Sequence, residues 1–410
     1  MRKVDVVIVG GGMVGLTLAL ALKNSVLQVA VIDSQPAGNA LSDTPELRVS
    51  AINVASENVL RAVGAWDAIS SARLQAYTHM QVWEQDSFAK IEFDHQQVQQ
   101  PHLGHIIENQ VIRQSLWQQA EQASNITLLA PETIQQLAFG EREVFVNLAS
   151  GEMLTASLVV GADGGNSWVR QQANLPITFW DYEHTAIVAT VKTELPHGNT
   201  ARQIFTPTGP LAFLPLWQKD VCSIVWSQQQ QSAETILAMD DEQFNHALTA
   251  AFDGRLGVCT VQSQRQSYPL RMRYARQMVG ERVALIGDAA HTIHPLAGQG
   301  VNLGILDAAA LAQTLIDLQR QRKDIGQLKH LRAYGRWRKT EAMKLVLGME
   351  GFKRLFNGAN PLQKLLRGVG MNMVNQFPPA RNAAIKNAMG LEGELPELAL
   401  PEFARGQQAS

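Results

Sequence analysis

Cysteine is scarce in this chain. Its 410 residues include two, Cys222 and Cys259, which lie far apart and form no Cys-x-x-Cys pair. That excludes a disulfide scaffold and a cysteine-rich zinc centre, and it suits two inert core thiols in a reducing cytoplasm. Charge is modest too: 18% of residues are charged and the formal net is −2. A general nucleic-acid binder needs a basic surplus, so no nucleic-acid partner is expected. Long apolar runs are missing, and the longest stretches fall well short of the roughly 18–20 residues that cross a bilayer. Arg2 and Lys3 before a short apolar run imitate a signal peptide, but Gly10, Gly11 and Gly12 end that run at once. A cytoplasmic protein is therefore expected. What the chain does have is core material. Hydrophobic residues make up 46%, which excludes a disordered chain. At about 150 residues per domain, two to three domains are expected.

Charge is unevenly spread. Residues 331–390 hold eleven Lys/Arg against two Asp/Glu, leaving the other 350 residues at −11. Within this basic stretch Leu345, Met349, Phe352 and Phe356, then Leu362, Leu366, Val369 and Met373, recur at helical spacing. Two readings stand. A basic amphipathic helix lies on anionic lipid, giving a peripheral contact with the inner membrane. Alternatively, the region is a helical cap whose apolar stripe packs on its own protein.

Periodicity gives an order of elements. Residues 4–9 and 27–32 read as buried strands around a helix at 16–22, a βαβ unit. Residues 53–72 and 110–123 read as helical, and 126–130, 144–148 and 153–160 as strands. Strands at 185–193, 201–206, 211–216 and 221–227 suggest an antiparallel sheet. A buried strand at 281–287 precedes a helix from about Val301 to Arg320, and the rest of the chain looks helical. Dinucleotide-type elements thus stand at both ends of a sheet-like insertion. The expected division is a discontinuous cofactor domain (1–75, 100–178 and 272–330), a substrate domain (76–99 and 179–271) and a helical region (331–410).

Three glycine-rich turns carry the chemistry. In the first, Gly10, Gly12 and Gly15 match G-x-G-x-x-G directly after a strand. Gly10 permits the turn, Gly12 lets backbone approach a pyrophosphate, and Gly15 lets helix and strand pack closely. The helix N-terminus favours the phosphate charge. Asp33 ends the second strand, where its carboxylate can accept from ribose hydroxyls. In the second turn, Asp163 stands between glycines, and Arg170 is within reach of a phosphate. In the third, Asp288 ends a strand where it can hold a sugar or ribityl hydroxyl. Pro295 and the Gly298-Gln299-Gly300-Val301-Asn302 turn follow and open a helix with free N–H groups. Asp288, His291 and His294 lack the helical spacing of a metal cluster, and no residue is assigned to a metal.

In this order the three turns resemble the class A flavoprotein monooxygenases of the para-hydroxybenzoate hydroxylase type, and within them the branch acting in ubiquinone biosynthesis. Gly10–Gly15, Leu47–Asn53 (LRVSAIN), Leu103–Asn109 (LGHIIEN), Gly161–Arg170 (GADGGNSWVR) and Gly287–Gly304 (GDAAHTIHPLAGQGVNLG) carry the resemblance, joined by Phe179–Tyr182 and Ala212–Leu216. The fold it implies is α/β: a Rossmann-like FAD-binding domain with an inserted antiparallel-sheet substrate domain and a C-terminal helical region. It implies that Asp33 holds the ADP part of FAD, that Arg48 lies near flavin and pyrophosphate, and that Arg113 contacts FAD. It associates Asp163 with FAD and NAD(P)H, places Asp288 on the ribityl chain or ribose, and sets Pro295 with Gly298–Asn302 beside the isoalloxazine.

The activity so implied is hydroxylation of a polyprenylphenol ring. NAD(P)H serves as transient reductant, O₂ is the oxidant, and a C4a-hydroperoxyflavin delivers the oxygen. Partners implied are the prenylated phenol and other ubiquinone-biosynthesis proteins in a complex. A sister activity on the later 3-methyl-6-methoxy-benzoquinol intermediate shares the motifs. An NAD-dependent dehydrogenase would explain Gly10–Gly15 and Asp33 but not the second and third turns. A pocket closed to water is required, and the Trp-, Phe- and Leu-rich strands at 179–226 suit it. His291 is the nearest candidate for acid–base work, with a structural hydrogen bond as the alternative.

Overall fold

A computed structural model describes residues 1–38, 41–42, 44–85, 90–292, 299–356 and 377–404. The labelled elements are β1 (Arg2–Val9), α1 (Met13–Ala21), β2 (Val29–Ile32), β3 (Val49–Asn53), α2 (Val54–Ala62), β4 (Gly104–Glu108), α3 (Asn109–Glu121), β5 (Ile126–Leu129), β6 (Met153–Gly161), β7 (Ile177–Thr193), β8 (Val221–Gln229), β9 (Gln266–Ala275), β10 (Val283–Leu285), β11 (His291–Thr292), α4 (Gln299–Arg320), α5 (Leu328–Phe356) and α6 (Pro378–Ala388).

The first sheet has a parallel core in the order β10–β6–β1–β2–β5. Val4, Val6, Val7 and Ile8 of β1 are all buried, the near-continuous apolar pattern of a strand covered on both faces. The connection from β1 leads to β2 on one side, while that from its other neighbour β6 leads to β10 on the opposite side. That makes a topological switch point, and ligands of open α/β sheets bind at the carboxyl ends there. The three glycine-rich turns all follow strands of this sheet. α1 covers it and buries Leu16, Leu18 and Leu20 around its circumference. α4 packs over α1 with Ile305, Leu311 and Leu315 fully buried. Among the described residues α4 (as Gly300–Arg320) is the one helix long and apolar enough to cross a bilayer, and most of it lies inside the protein. The sequence showed no such span because Asn302, Asp307 and Asp317 interrupt the run.

The second sheet has nine strands. It runs β11–β9–β7–β8, then Gly209–Pro215, Thr200–Thr206, His79–Glu84 and Lys90–Asp94, with Cys259–Val261 also on β7. Every pairing is antiparallel except that of Thr200–Thr206 with His79–Glu84. β7 begins at Ile177, eight residues before the expected start at 185. A register shift between Asp181 and His184, with Glu183 at φ +55°, breaks its alternation and hides the strand's first half. A third small sheet joins β3, β4 and Gln75–Tyr77.

Three further expectations are revised. The helical stretch at 53–72 is two helices, α2 and Trp66–Ser71, parted at Gly64 with φ +85°. The strand at 281–287 shortens to β10 because Gly287 turns away at φ +59°. The aromatic residues of 179–226 do not form one closed pocket. Phe179 and Trp180 are exposed, while Phe213 stacks on Phe252 at 3.8 Å between ring centres, inside a packed core. Cys222 and Cys259 are buried free thiols, and burial pushes them up to about 12 and about 11. Of the basic stretch, residues 357–376 lie outside the described residues.

The outer edge of the first sheet is tied by Arg282, which is 1% exposed. It donates to Glu141 O (2.9 Å) and Ser157 O (2.9 Å), and pairs with the Asp324 carboxylate at 2.6 Å. Arg282→Ala leaves two carbonyls and a carboxylate without their donor, so a loss of about 3 kcal/mol is expected. Chemical denaturation checks this. An unchanged midpoint would show that the tie contributes nothing.

Candidate active site

The first turn is built around close backbone approach. Gly10 has φ +111°, and a Cβ there would lie 2.4 Å from Ala162 O. A Cβ on Gly15 would lie 2.0 Å from Gly10 O. Only glycine fits either position. Beside Gly12 the space is open, with no atom within 4 Å of a built Cβ, and no side chain caps α1 there. The free amides of the first helical turn are thus left for an outside acceptor. Asp33 folds onto the same loop, accepting from Gly11 N at 2.6 Å and Gln35 N at 2.7 Å. Arg113 braces it from α3, donating to Gly11 O and Pro36 O, both at 3.0 Å.

In the second turn Asp163 accepts from Val169 N (3.0 Å) through one oxygen, while its Oδ1 is enclosed without a partner. Arg170 does not face a phosphate. It is 4% exposed and donates to Ala289 O (2.8 Å) and Gly165 O (3.0 Å), tying the second turn to the third.

In the third turn the Asp288 side chain is solvent-accessible although protein crowds around it. Loss of bulk water raises its carboxyl above the usual range, with His291 and Arg48 pulling it part of the way back. Arg48 is exposed, with its guanidinium 5.3 Å from the Tyr268 ring centre. Gly300 borders open space at the start of α4, and Val301 is half-buried. Asn302 turns inward instead: its Oδ1 accepts from Asn53 N (3.0 Å) and its Nδ2 donates to Ala51 O (2.8 Å). Pro295, Gly298 and His294 lie outside the described residues.

Beneath these turns is a buried network that sequence reasoning missed. Asp307 of α4 is fully buried. Its carboxylate accepts from His291 Nε2 (2.6 Å), Arg338 Nε of α5 (2.7 Å) and Gly287 N (3.1 Å). Burial alone would raise this carboxyl, but His291 and Arg338 outweigh it and hold it below the usual range. His291 is 2% exposed, and its Nδ1 is enclosed without a partner. The signal for Asp307 was present in the sequence: an acid in the middle of the apolar run Val301–Ala312. Its partner Arg338 is hidden in a stretch where basic residues are common.

These residues fit FAD. The first turn offers open backbone for a pyrophosphate. Asp163 offers an unpartnered acceptor, and Asp288 an accessible carboxyl. The fold and site define an FAD-dependent aromatic monooxygenase. The chain belongs to the FAD-binding domain family, whose profile matches residues 3–347. It is 36% identical to the 3-demethoxyubiquinol 3-hydroxylase of Escherichia coli, over 94% of this chain and 98% of that one. It is also 36% identical to a mitochondrial ubiquinone biosynthesis monooxygenase of Xenopus tropicalis, over 92% and 91%. The ubiquinone hydroxylase UbiL of Rhodospirillum rubrum is 34% identical, over 94% and 89%. The fold matches the crystal structure of p-nitrophenol 4-monooxygenase from Pseudomonas putida with a TM-score of 0.78, at 19% identity over 96% and 100%.

Asp288→Ala is expected to purify without FAD, read from flavin absorbance. Full occupancy would remove the role given to this carboxyl. Asp307→Asn is expected to cost about 3 kcal/mol, because Arg338 and His291 lose a shared acceptor in a buried site. The sign of its pH dependence is fixed. Asp307 is held low in the folded state, so its contribution is complete above the unfolded value near 4 and lost as pH falls through the depressed one. The Asn variant should therefore lose less stability than wild type on acidification below about pH 4. Parallel acid-unfolding curves for the two proteins would contradict this.

Proposed function

We propose that the protein hydroxylates the aromatic ring of a polyprenylphenol intermediate of ubiquinone biosynthesis at ring C5, using O₂ and a transiently bound NAD(P)H. The observation that carries the reading is the position of the Asp288 turn. It ends a strand of the parallel sheet, and three residues later the chain enters the antiparallel sheet as β11, paired with Arg273 and Tyr274 of β9. A flavin held at Asp288 would therefore face the second sheet, the natural wall for an aromatic substrate. The names of the relatives support the pathway.

The roles follow from the chain. The amides at Gly12 and Met13 bind the pyrophosphate, Asp33 and Arg113 hold that loop in shape, and Asp163 and Asp288 accept from cofactor hydroxyls. Bound FAD supplies oxygen activation and transfer. The start of α4 at Gly300 and Val301 would offer its free amides and positive dipole end to negative charge on a bound ring system. His291, bonded to Asp307, would hold the turn that carries Asp288 in place. Residues 1–75, 100–178 and 272–330 would bind FAD, with 76–99 and 179–271 covering the substrate. The basic region 331–390 would meet the membrane surface or other proteins of the pathway. A second reading is favoured by the name of the Escherichia coli relative: hydroxylation of the later demethoxy-quinol intermediate.

Incubating holoenzyme with NAD(P)H, O₂ and each intermediate in turn, followed by mass spectrometry, separates the readings. Gain of one oxygen by the polyprenylphenol alone is the expected result. Gain by the demethoxy-quinol alone would move the assignment to the second reading. Reductant consumption with neither product would overturn both.

A further inference from the structure

Away from the cofactor cleft, α2 and β4 bring together three metal-ligand side chains. Glu57 lies on α2, His105 on β4 and His102 three residues before it. Glu57 Oε2 is 2.7 Å from His102 Nε2 and 3.2 Å from His105 Nδ1. The three ligand atoms all lie within 4.8 Å of one another. Glu57 and His105 are buried, and His102 reaches toward solvent with its side chain 14% exposed.

One contact in this cluster is unsatisfied. His105 Nδ1 is enclosed and makes no hydrogen bond, although it stands 3.2 Å from the carboxylate oxygen. A buried nitrogen facing an oxygen without a proton in line is unfavourable, and such groups require explanation. The ring is packed against Trp66, edge-on at 5.0 Å, and against His102 at 4.2 Å between ring centres. A cation placed among the three atoms would accept both lone pairs.

We propose that Glu57, His102 and His105 form a binding site for one divalent transition metal, best suited to Zn²⁺. Two imidazoles and one carboxylate form the donor set, with water as the fourth ligand on the exposed side of His102. The ion would staple α2 to β4. β4 pairs with β3, and Arg48 directly precedes β3, so the staple braces the strand leading from the cofactor cleft. Its role is structural and independent of the hydroxylation reading. Arg61 sets the affinity: it holds the other oxygen, Glu57 Oε1, at 2.7 Å, orienting the carboxylate while its own charge opposes the ion. That guanidinium is half-exposed, so solvent screens the opposition.

The test uses untagged full-length holoenzyme, stripped with a chelator and equilibrated with ZnCl₂, with metal content read by mass spectrometry and affinity by competition with a chromogenic chelator. One zinc per chain is expected in wild type. The ion should be lost in His102→Gln/His105→Gln, with flavin absorbance showing that this variant is folded. Arg61→Gln should bind zinc roughly 10-fold more tightly, because a nearby positive charge is removed. That variant leaves all three ligands in place and keeps the proposal testable if the double variant fails to fold. No retained zinc in wild type, equal zinc in wild type and double variant, or unchanged affinity in Arg61→Gln would overturn the site.

Discussion

The carboxylate of Asp307 is the interaction on which the site depends. It is fully buried, and a lone ionised carboxylate in such a place would be prohibitively costly. Its three partners come from two segments: Gly287 and His291 from the turn carrying Asp288, and Arg338 from α5. The charge is tolerable only while all three are in place. The reverse also holds: turn, α4 and α5 meet in one arrangement because that arrangement satisfies the charge. Gly304 adds a steric condition, since a Cβ there would lie 2.8 Å from Val14 and 3.0 Å from Gly287. α4, the start of α1 and the Asp288 turn are thus packed at close range.

From that junction the chemistry follows by layers. The parallel sheet delivers three turns to one edge. The antiparallel sheet closes on the same edge, because β11 leaves the Asp288 turn and pairs directly with β9. The two sheets are therefore joined by covalent chain and two-residue pairing rather than by a long linker. Arg170 adds a second tie, from the Asp163 turn to the carbonyl of Ala289. A site whose cofactor turn is held at its base, at its end and from the side is preorganised, as transfer of oxygen away from water requires.

Much of this was legible in the sequence. Gly10, Gly12 and Gly15 announce themselves because close backbone approach has one residue solution. Asp33 and Asp288 stand out as acids ending apolar strands. Ties made across long separations were not legible. Asp307 and Arg338 are 31 residues apart, and Glu57 lies 45 residues before His102, so neither set forms a local motif. Arg170 was misread for a related reason: an arginine after a glycine turn suggests a phosphate, but a carbonyl of its own turn and one of the Asp288 turn take its donors. Phe179 and Trp180 look like core by composition, but both are exposed on the first half of β7.

A crystal structure of the FAD-bound protein tests the account most directly. It should show the pyrophosphate on the amides that open α1, a cofactor hydroxyl bonded to Asp288, and the contacts of Asp307 with His291, Arg338 and Gly287 unchanged. FAD seated away from Asp288, or His291 swung from Asp307 to the flavin, would contradict the claim that this buried carboxylate sets the cofactor site.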